Sequence, residues 1–282
     1  MKEFEYLAPT TIKEVVDLLL KYKNKACILN GGTDVVIRLR ERLISPEYII
    51  DIKHIKELKG INLNIKEKYL FIGALSTMNE ISANEYVKKY YPYYAEACHS
   101  VGSNQVRNRA TSVGNIVNAS PLADSATPLY ALDATLIIEG QNGRREVPIR
   151  EFITFVRKTV LQEGEIVIGI KIPLYENTKG VFSKNARRRE VDLSNVCATI
   201  VKIGNEYKIA FGAVAPTPIR LTKTEEFLKN KEISDKTIEE AKELAIKEVS
   251  PIDDIRASKE YRLDIVKVII DRSLRELNQG GE

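Results

Sequence analysis

Ala26-Cys27-Ile28-Leu29-Asn30-Gly31-Gly32-Thr33-Asp34-Val35 is the stretch on which the reading of this chain turns. Ala26 to Leu29 is a short apolar run that suits a buried strand. It stops abruptly at Asn30 and two adjacent glycines, after which Val35, Val36 and Leu39 start a helical stretch. Glycines without Cβ atoms expose consecutive backbone N–H groups. Such a concavity suits phosphate oxygens, which main-chain donors hold without help from a cationic side chain, and the Thr33 hydroxyl adds one more donor. Taken alone, the pattern is also that of a common surface turn.

Working outward, Thr11-Ile12-Lys13-Glu14 has the capping-box form of a helix start. Ile12, Val15, Val16 and Leu19 then follow with the spacing of one apolar helix face. Tyr48-Ile49-Ile50-Asp51-Ile52 reads as a second strand and closes a small α/β unit at about residue 55. Beyond it, Tyr69 to Gly73 is β-type, and Thr77-Met78-Asn79-Glu80 repeats the capping box and predicts a helix toward Val87. Tyr93 to Val101 predicts another helix. Residues 107–124 are rich in Asn, Ser, Thr and Gly and read as loop with short extended pieces. Ala134 to Glu139 and Arg145 to Val147 predict a hairpin around Asn142-Gly143. Ile166, Ile168, Ile170 and Ile172 alternate as in a half-buried strand. Val196–Val201 and Lys208–Val214 predict antiparallel strands about Gly204-Asn205, followed by helices over Ser234–Val249 and Ser258–Leu277. The expected class is α+β: units of about 1–55 and 56–175, then a C-terminal antiparallel sheet with helices over 176–282.

Thr111-Ser112-Val113-Gly114-Asn115 supplies a second candidate cradle, with two hydroxyls, a glycine and an amide suited to pyrophosphate and ribose. Two such loops flanked by buried-looking segments favour a dinucleotide bridging two subdomains. The site is not of the Rossmann type: GxGxxG is absent, and no acidic residue stands at the usual distance after a strand–turn–helix.

Composition removes several rival classes. Across 282 residues, 43 basic and 39 acidic side chains leave a net charge of +4, which makes no special case for nucleic acid. Apolar residues at 44% suit a protein that buries a real core. No apolar run approaches the ~20 residues that span a bilayer, and Met1-Lys2-Glu3-Phe4-Glu5 has no signal-peptide core, so a cytoplasmic protein without a membrane span is expected. Cys27, Cys98 and Cys197 stand far apart without a CxxC pair, and His54 and His99 are the only histidines. A zinc or iron–sulfur site within the chain is therefore not expected. Any redox centre is an organic cofactor or belongs to a partner. The run Arg187-Arg188-Arg189 is diluted by Glu190 and Asp192 and reads as a solvated or partner-facing stretch.

These motifs in this order resemble the FAD-binding medium subunits of molybdenum hydroxylases, the family of the xanthine dehydrogenase and carbon monoxide dehydrogenase flavin subunits. Leu29-Asn30-Gly31-Gly32-Thr33-Asp34 is similar to the family's Ala-Gly-Gly-Thr-Asp loop. Gln105-Val106-Arg107-Asn108 through Asn115-Ile116 resembles its second flavin loop, and Ala119-Ser120-Pro121-Leu122-Ala123-Asp124 its Ala-Ser-Pro-x-x-Asp continuation. Arg157-Lys158-Thr159, Glu165-Ile166-Val167, Ile172-Pro173 and Lys184 to Glu190 follow in family order. The resemblance implies a two-subdomain, non-Rossmann FAD-binding fold of the PCMH type. It implies that Ile28, Leu29, Asn30, Gly31, Gly32, Thr33, Asp34 and Val35 form the first FAD loop, and Thr111, Ser112, Val113, Gly114 and Asn115 the second. Asp124 is implied near the adenosine end or as a brace of that loop, Val167 against a ring face, and Lys184 near the cofactor, with no catalytic residue and no metal ligand in this chain. The sequence departs from the family where the second loop usually has two adjacent glycines; the first of them is Val113 here. A β-branched residue does not comfortably take φ > 0, so the expectation is a negative φ and no harm to the loop.

Function is implied by the same resemblance. A molybdopterin-containing large subunit oxidises substrate, a 2Fe-2S small subunit passes electrons singly, and FAD collects them for NAD or another acceptor. The chemistry is the cofactor's, and the protein supplies position and electrostatics. The rival readings are a scaffold that has lost FAD and a free-standing flavin reductase. For the substrate, purines come first, with nicotinate-like heterocycles and carbon monoxide open.

Overall fold

A computed structural model of the chain describes residues 2–279. Met1, the first residue read for a leader segment, and residues 280–282, the end of the expected C-terminal unit, lie outside it. The first sheet is three parallel strands, β1 (Glu5–Leu7), β2 (Ala26–Leu29) and β3 (Tyr48–Asp51), in the order β1-β3-β2. Between them run α1 (Ile12–Tyr22) and α2 (Val35–Arg40). Thr11 caps α1 by accepting the Glu14 amide, but the Glu14 carboxylate accepts from the Thr10 amide at 2.7 Å, so the box closes one residue early. Val15 and Val16 bury the apolar face of α1.

The second sheet is antiparallel. Along the chain come β4 (Ile61–Asn64), β5 (Tyr69–Gly73), β6 (Thr135–Gly140), β7 (Gly143–Pro148), a small β8 (Ile153–Phe155) and β9 (Lys158–Thr159) hairpin, and β10 (Ile166–Pro173). The five-stranded order is β4-β5-β10-β6-β7. Gly140 pairs with Gly143, so the turn of the β6–β7 hairpin is Gln141-Asn142, with Gly143 at φ +91° just after it. The alternating isoleucines do form β10, but the expectation of a half-buried strand is wrong. Ile166, Val167, Ile168, Ile170 and Ile172 are all buried, because β10 lies at the centre of the sheet with both faces covered. A bulge between Val167 and Gly169 breaks the alternation.

The helices α3 (Met78–Ala83), α4 (Glu85–Tyr90), α5 (Pro92–His99), α6 (Asn104–Arg107), α7 (Ser112–Val117), α8 (Ala126–Ala131) and α9 (Ile149–Phe152) belong to this part. Thr77 and Glu80 make the full capping box of α3. The expected run toward Val87 breaks at Asn84, whose carboxamide accepts the Tyr86 and Val87 amides and starts α4 anew. Residues 107–124 are not the loop expected. Ser103 and Thr111 cap α6 and α7 by accepting the Val106 and Gly114 amides, and these caps fix helices too short to show a period.

The C-terminal part is a four-stranded antiparallel sheet, β11 (Thr178–Asn185), β12 (Val196–Ile203), β13 (Glu206–Gly212) and β14 (Ile219–Arg220). Helices α10 (Thr222–Leu228), α11 (Asp235–Glu248, capped by Ser234) and α12 (Lys259–Gln279) follow. Alternation along β12 divides its labour. Val196, Ala198 and Ile200 pack with Ile238, Ala241, Val266 and Ile270 of the helices. Cys197 and Val201 face the other way and join the core of the preceding sheet. Arg262, 2% exposed, ties α12 to the sheet by donating to the carbonyls of Asn195 and Ala213 and pairing with Asp254 at 2.7 Å. Arg256 and backbone amides hold the Asp254 carboxyl well below the usual range, although its partial burial opposes the shift. Among the described residues no helix is long and apolar enough to cross a membrane.

Candidate functional site

The strand β2 delivers Asn30, Gly31 and Gly32 to a cleft between the parallel sheet and the helices α3 and α7. Gly31 lies so close to the chain before α7 that a Cβ there would stand 2.0 Å from the Arg109 carbonyl oxygen. Only glycine permits that approach. Gly32 takes φ +82°, a conformation that L side chains rarely adopt. Its carbonyl accepts the Val36 amide and launches α2. Among the described residues the amides of Gly31, Gly32, Thr33 and Asp34 donate to no protein group. Asp34 is exposed and makes no cap to its helix. Ile28 and Leu29 are half-buried in β2, and Val35 opens α2.

Thr111 to Asn115 is the cap and first turn of α7 rather than a free loop. The Thr111 hydroxyl accepts the Gly114 amide at 3.0 Å. A Cβ on Gly114 would crowd that hydroxyl at 2.9 Å and approach the Asn30 carboxamide at 3.9 Å, which brings the two segments side by side. Val113 is 4% exposed, lies in the core and is not among the residues with positive φ, so its side chain is packing and its backbone is helical. Behind this turn runs a chain of hydroxyls. Tyr94 donates to Ser112 at 2.8 Å, Ser112 to Ser125, and Ser125 to the Asn115 carbonyl oxygen at 2.8 Å.

Asn30, Gly31, Leu75, Thr77, Arg109 and Thr111 line a cleft of about 720 Å³, with Lys53 and Lys59 as further cations. That volume falls in the range of cofactor pockets. The Asn30 carboxamide donates to the Ala74 carbonyl at 2.9 Å, while its own oxygen is buried without a partner. An orphaned buried acceptor costs about 1–3 kcal/mol unless a donor arrives. A run of unengaged amides beside it asks for an acceptor. Together they fit a ligand with phosphate oxygens and nearby hydroxyls, as FAD has.

The remaining expected site residues lie elsewhere. Val167 is buried in β10 opposite Ile138 and does not line the cleft. Asp124, between α7 and α8, pairs with Lys184 of β11 at 2.6 Å, and Ser194 donates to its other oxygen. Lys184 also donates to the Ser100 carbonyl at 3.0 Å. Cys98 and Cys197 are fully buried and burial pushes both thiols up, so they stand as neutral packing groups. Among the described residues no group of His, Cys, Asp and Glu could hold a metal ion. Arg187 reaches across to the Ile255 and Arg256 carbonyls, and Arg188 to Asp192, so this run is an exposed, self-braced turn. Sequence reasoning missed Asn30's contact with Ala74 and the seat of Gly31 on Arg109, both of which depend on partners more than forty residues away in the chain.

The family described as FAD binding domain in molybdopterin dehydrogenase matches residues 2–175, and that described as CO dehydrogenase flavoprotein C-terminal domain matches residues 182–277. The chain belongs to this family, the FAD-binding subunits of molybdenum hydroxylases, and is by that membership a flavoprotein of the oxidoreductase class. Among particular relatives, it is 34% identical to the xanthine dehydrogenase FAD-binding subunit of Escherichia coli O157:H7, over 96% of this chain and 94% of that protein. It is 31% identical to the glyceraldehyde dehydrogenase medium chain of Sulfolobus acidocaldarius, over 98% of each. Its fold superposes on a chain of the carbon monoxide dehydrogenase of Hydrogenophaga pseudoflava with a TM-score of 0.92, at 31% identity, covering 97% of this chain and 96% of that one.

Proposed function

We propose that this chain is the electron-transfer subunit of a heteromeric molybdenum-dependent dehydrogenase, taking electrons from a partner iron–sulfur subunit and passing them to NAD or another acceptor. A molybdopterin-containing large subunit oxidises the substrate. The division of labour within the chain follows the sheets: residues 1–175 bind the cofactor across subdomains of about 1–55 and 56–175, and residues 176–282 form the C-terminal unit. The observation that carries the reading is the cleft where four unengaged amides, Gly31 to Asp34, meet the orphaned Asn30 oxygen beside the capped turn at Thr111. FAD, when bound, supplies a centre that takes up electrons singly and gives them up in pairs. In this reading the 30–34 amides hold the pyrophosphate and Asn30 accepts from a cofactor hydroxyl. Thr111 keeps the second segment in place, Ile28, Leu29 and Val35 pack around the first, and Val167 stiffens the strand behind.

The purified chain should be yellow, or become so with added FAD, binding one flavin per chain. A chain that stays colourless in excess FAD would falsify the proposal and leave the scaffold reading. Co-purification with iron–sulfur and molybdenum polypeptides separates a heteromeric subunit from a free-standing reductase. Anaerobic NADH should bleach the flavin band if NAD is the acceptor; an unchanged spectrum removes it. Purines are the first substrate class to offer the complex, ahead of nicotinate-like heterocycles and carbon monoxide, because the Escherichia coli relative is a xanthine dehydrogenase subunit.

A further inference from the structure

We infer that Asp124 and Lys184 are positioning residues: a buried ion pair that ties the C-terminal sheet to the second FAD segment, rather than two separate contacts with the cofactor. The inference rests on reading Thr111–Asn115 as a cofactor-binding segment.

Both carboxylate oxygens of Asp124 are engaged from the C-terminal part, one by the Lys184 ammonium at 2.6 Å and the other by the Ser194 hydroxyl. Lys184 carries the tie onward to the Ser100 carbonyl at the end of α5. The side chains are 7% and 14% exposed, so neither charge is left to water. Two further bonds join the same stretch to the sheet. The Ala213 amide donates to the Pro121 carbonyl at 2.8 Å, and the Thr127 and Thr199 hydroxyls meet at 2.9 Å. Residues 121–127 therefore have their place dictated by β11, β12 and β13.

The same residues reach the cofactor segment from the other side. Ser125, next in the chain to Asp124, donates to Asn115 and accepts from Ser112. A shift of Asp124 is thus handed directly to the first turn of α7. Removing one partner of a buried pair leaves an uncompensated charge, whereas removing both leaves none. That asymmetry separates a tie from two independent ligand contacts, whose losses would multiply.

The test is FAD affinity of the full chain, followed by quenching of flavin fluorescence, in wild type, Asp124→Asn, Lys184→Met, the double variant and Ser194→Ala. Each charge variant alone should weaken binding by about tenfold, Ser194→Ala by about threefold, and the double variant should return to within about threefold of wild type. The visible band of bound flavin in the double variant should match that of wild type. A double variant whose loss is the product of the two singles, about a hundredfold, overturns the inference in favour of direct contacts. Singles that bind as wild type overturn it as well. If a single variant is insoluble, the double and Ser194→Ala still decide: a double that binds at least thirtyfold more weakly than wild type, with Ser194→Ala unchanged, refutes the tie. A wild-type chain that fails to bind FAD sinks the proposed function instead, so the two failures are distinct.

Discussion

Residues 30–34 and 111–115 each pair a threonine with glycine, yet they are built on opposite principles. In the first, backbone geometry demands the glycines: Gly31 sits against the Arg109 carbonyl and Gly32 has φ +82°. Its amides are left unengaged. In the second, a side chain does the shaping: Thr111 caps α7, and Val113 and Ser112 are sunk in the core. One segment is held open by what it lacks, the other closed by what it bonds. The difference teaches that sequence likeness to a glycine-rich loop does not by itself assign the glycine's job.

Three substitutions probe that contrast. Gly31→Ala should be the most damaging, because the added methyl meets a backbone carbonyl that no rotamer change can move. Overpacking of this kind costs about 3 kcal/mol, or at least a hundredfold in affinity if it falls on the bound state. The visible spectrum after FAD loading measures it, and a normally yellow Ala variant would break the distinction between the segments. Thr111→Ala should come next. Loss of the cap costs about 1 kcal/mol, seen as a lower Tm and about a tenfold weaker FAD affinity if all of it falls on the bound state, while Thr111→Ser should keep both. Equal effects of Ala and Ser would show that the methyl, not the hydroxyl, matters. Val113→Gly should change least at the cofactor. It restores the family's paired glycines but deletes a buried side chain from a helix, so Tm should fall while affinity stays within about twofold. A clear gain in affinity would mean that the second segment also works through its backbone.

Much of the architecture was legible in the residues, for identifiable reasons. Helices long enough to show their period, α1, α11 and α12, could be read from apolar spacing and from the hydroxyls of Thr11 and Ser234. The β12–β13 pair was marked by Gly204-Asn205, and the hairpin at 140–143 by its turn residues. What could not be read was either too short or set by distant partners. The helices α6 and α7 have four and six residues, less than two turns, so no periodicity could announce them. The strands β1 and β11 exist because β3 and β12 pair with them. At the site, the two glycine-bearing segments and the Asp124–Lys184 residues were visible as types. That Gly31 leans on Arg109, and that Lys184 faces Asp124 sixty residues away, follows only from the folded chain.

Two family descriptions meet this chain on either side of residues 176–181, as though its halves could be traded between relatives. The surface beneath that seam is a set of matched polar teeth. Asp124 expects a cation and a hydroxyl, Pro121 a backbone donor, and Thr127 another hydroxyl. A graft made at the seam therefore inherits a compatibility problem that sequence length conceals. A foreign C-terminal half without equivalents of Lys184 and Ser194 would strand a buried carboxylate next to the cofactor segment. Chimeras in this family are best designed by moving the 119–127 turn together with the sheet that grips it.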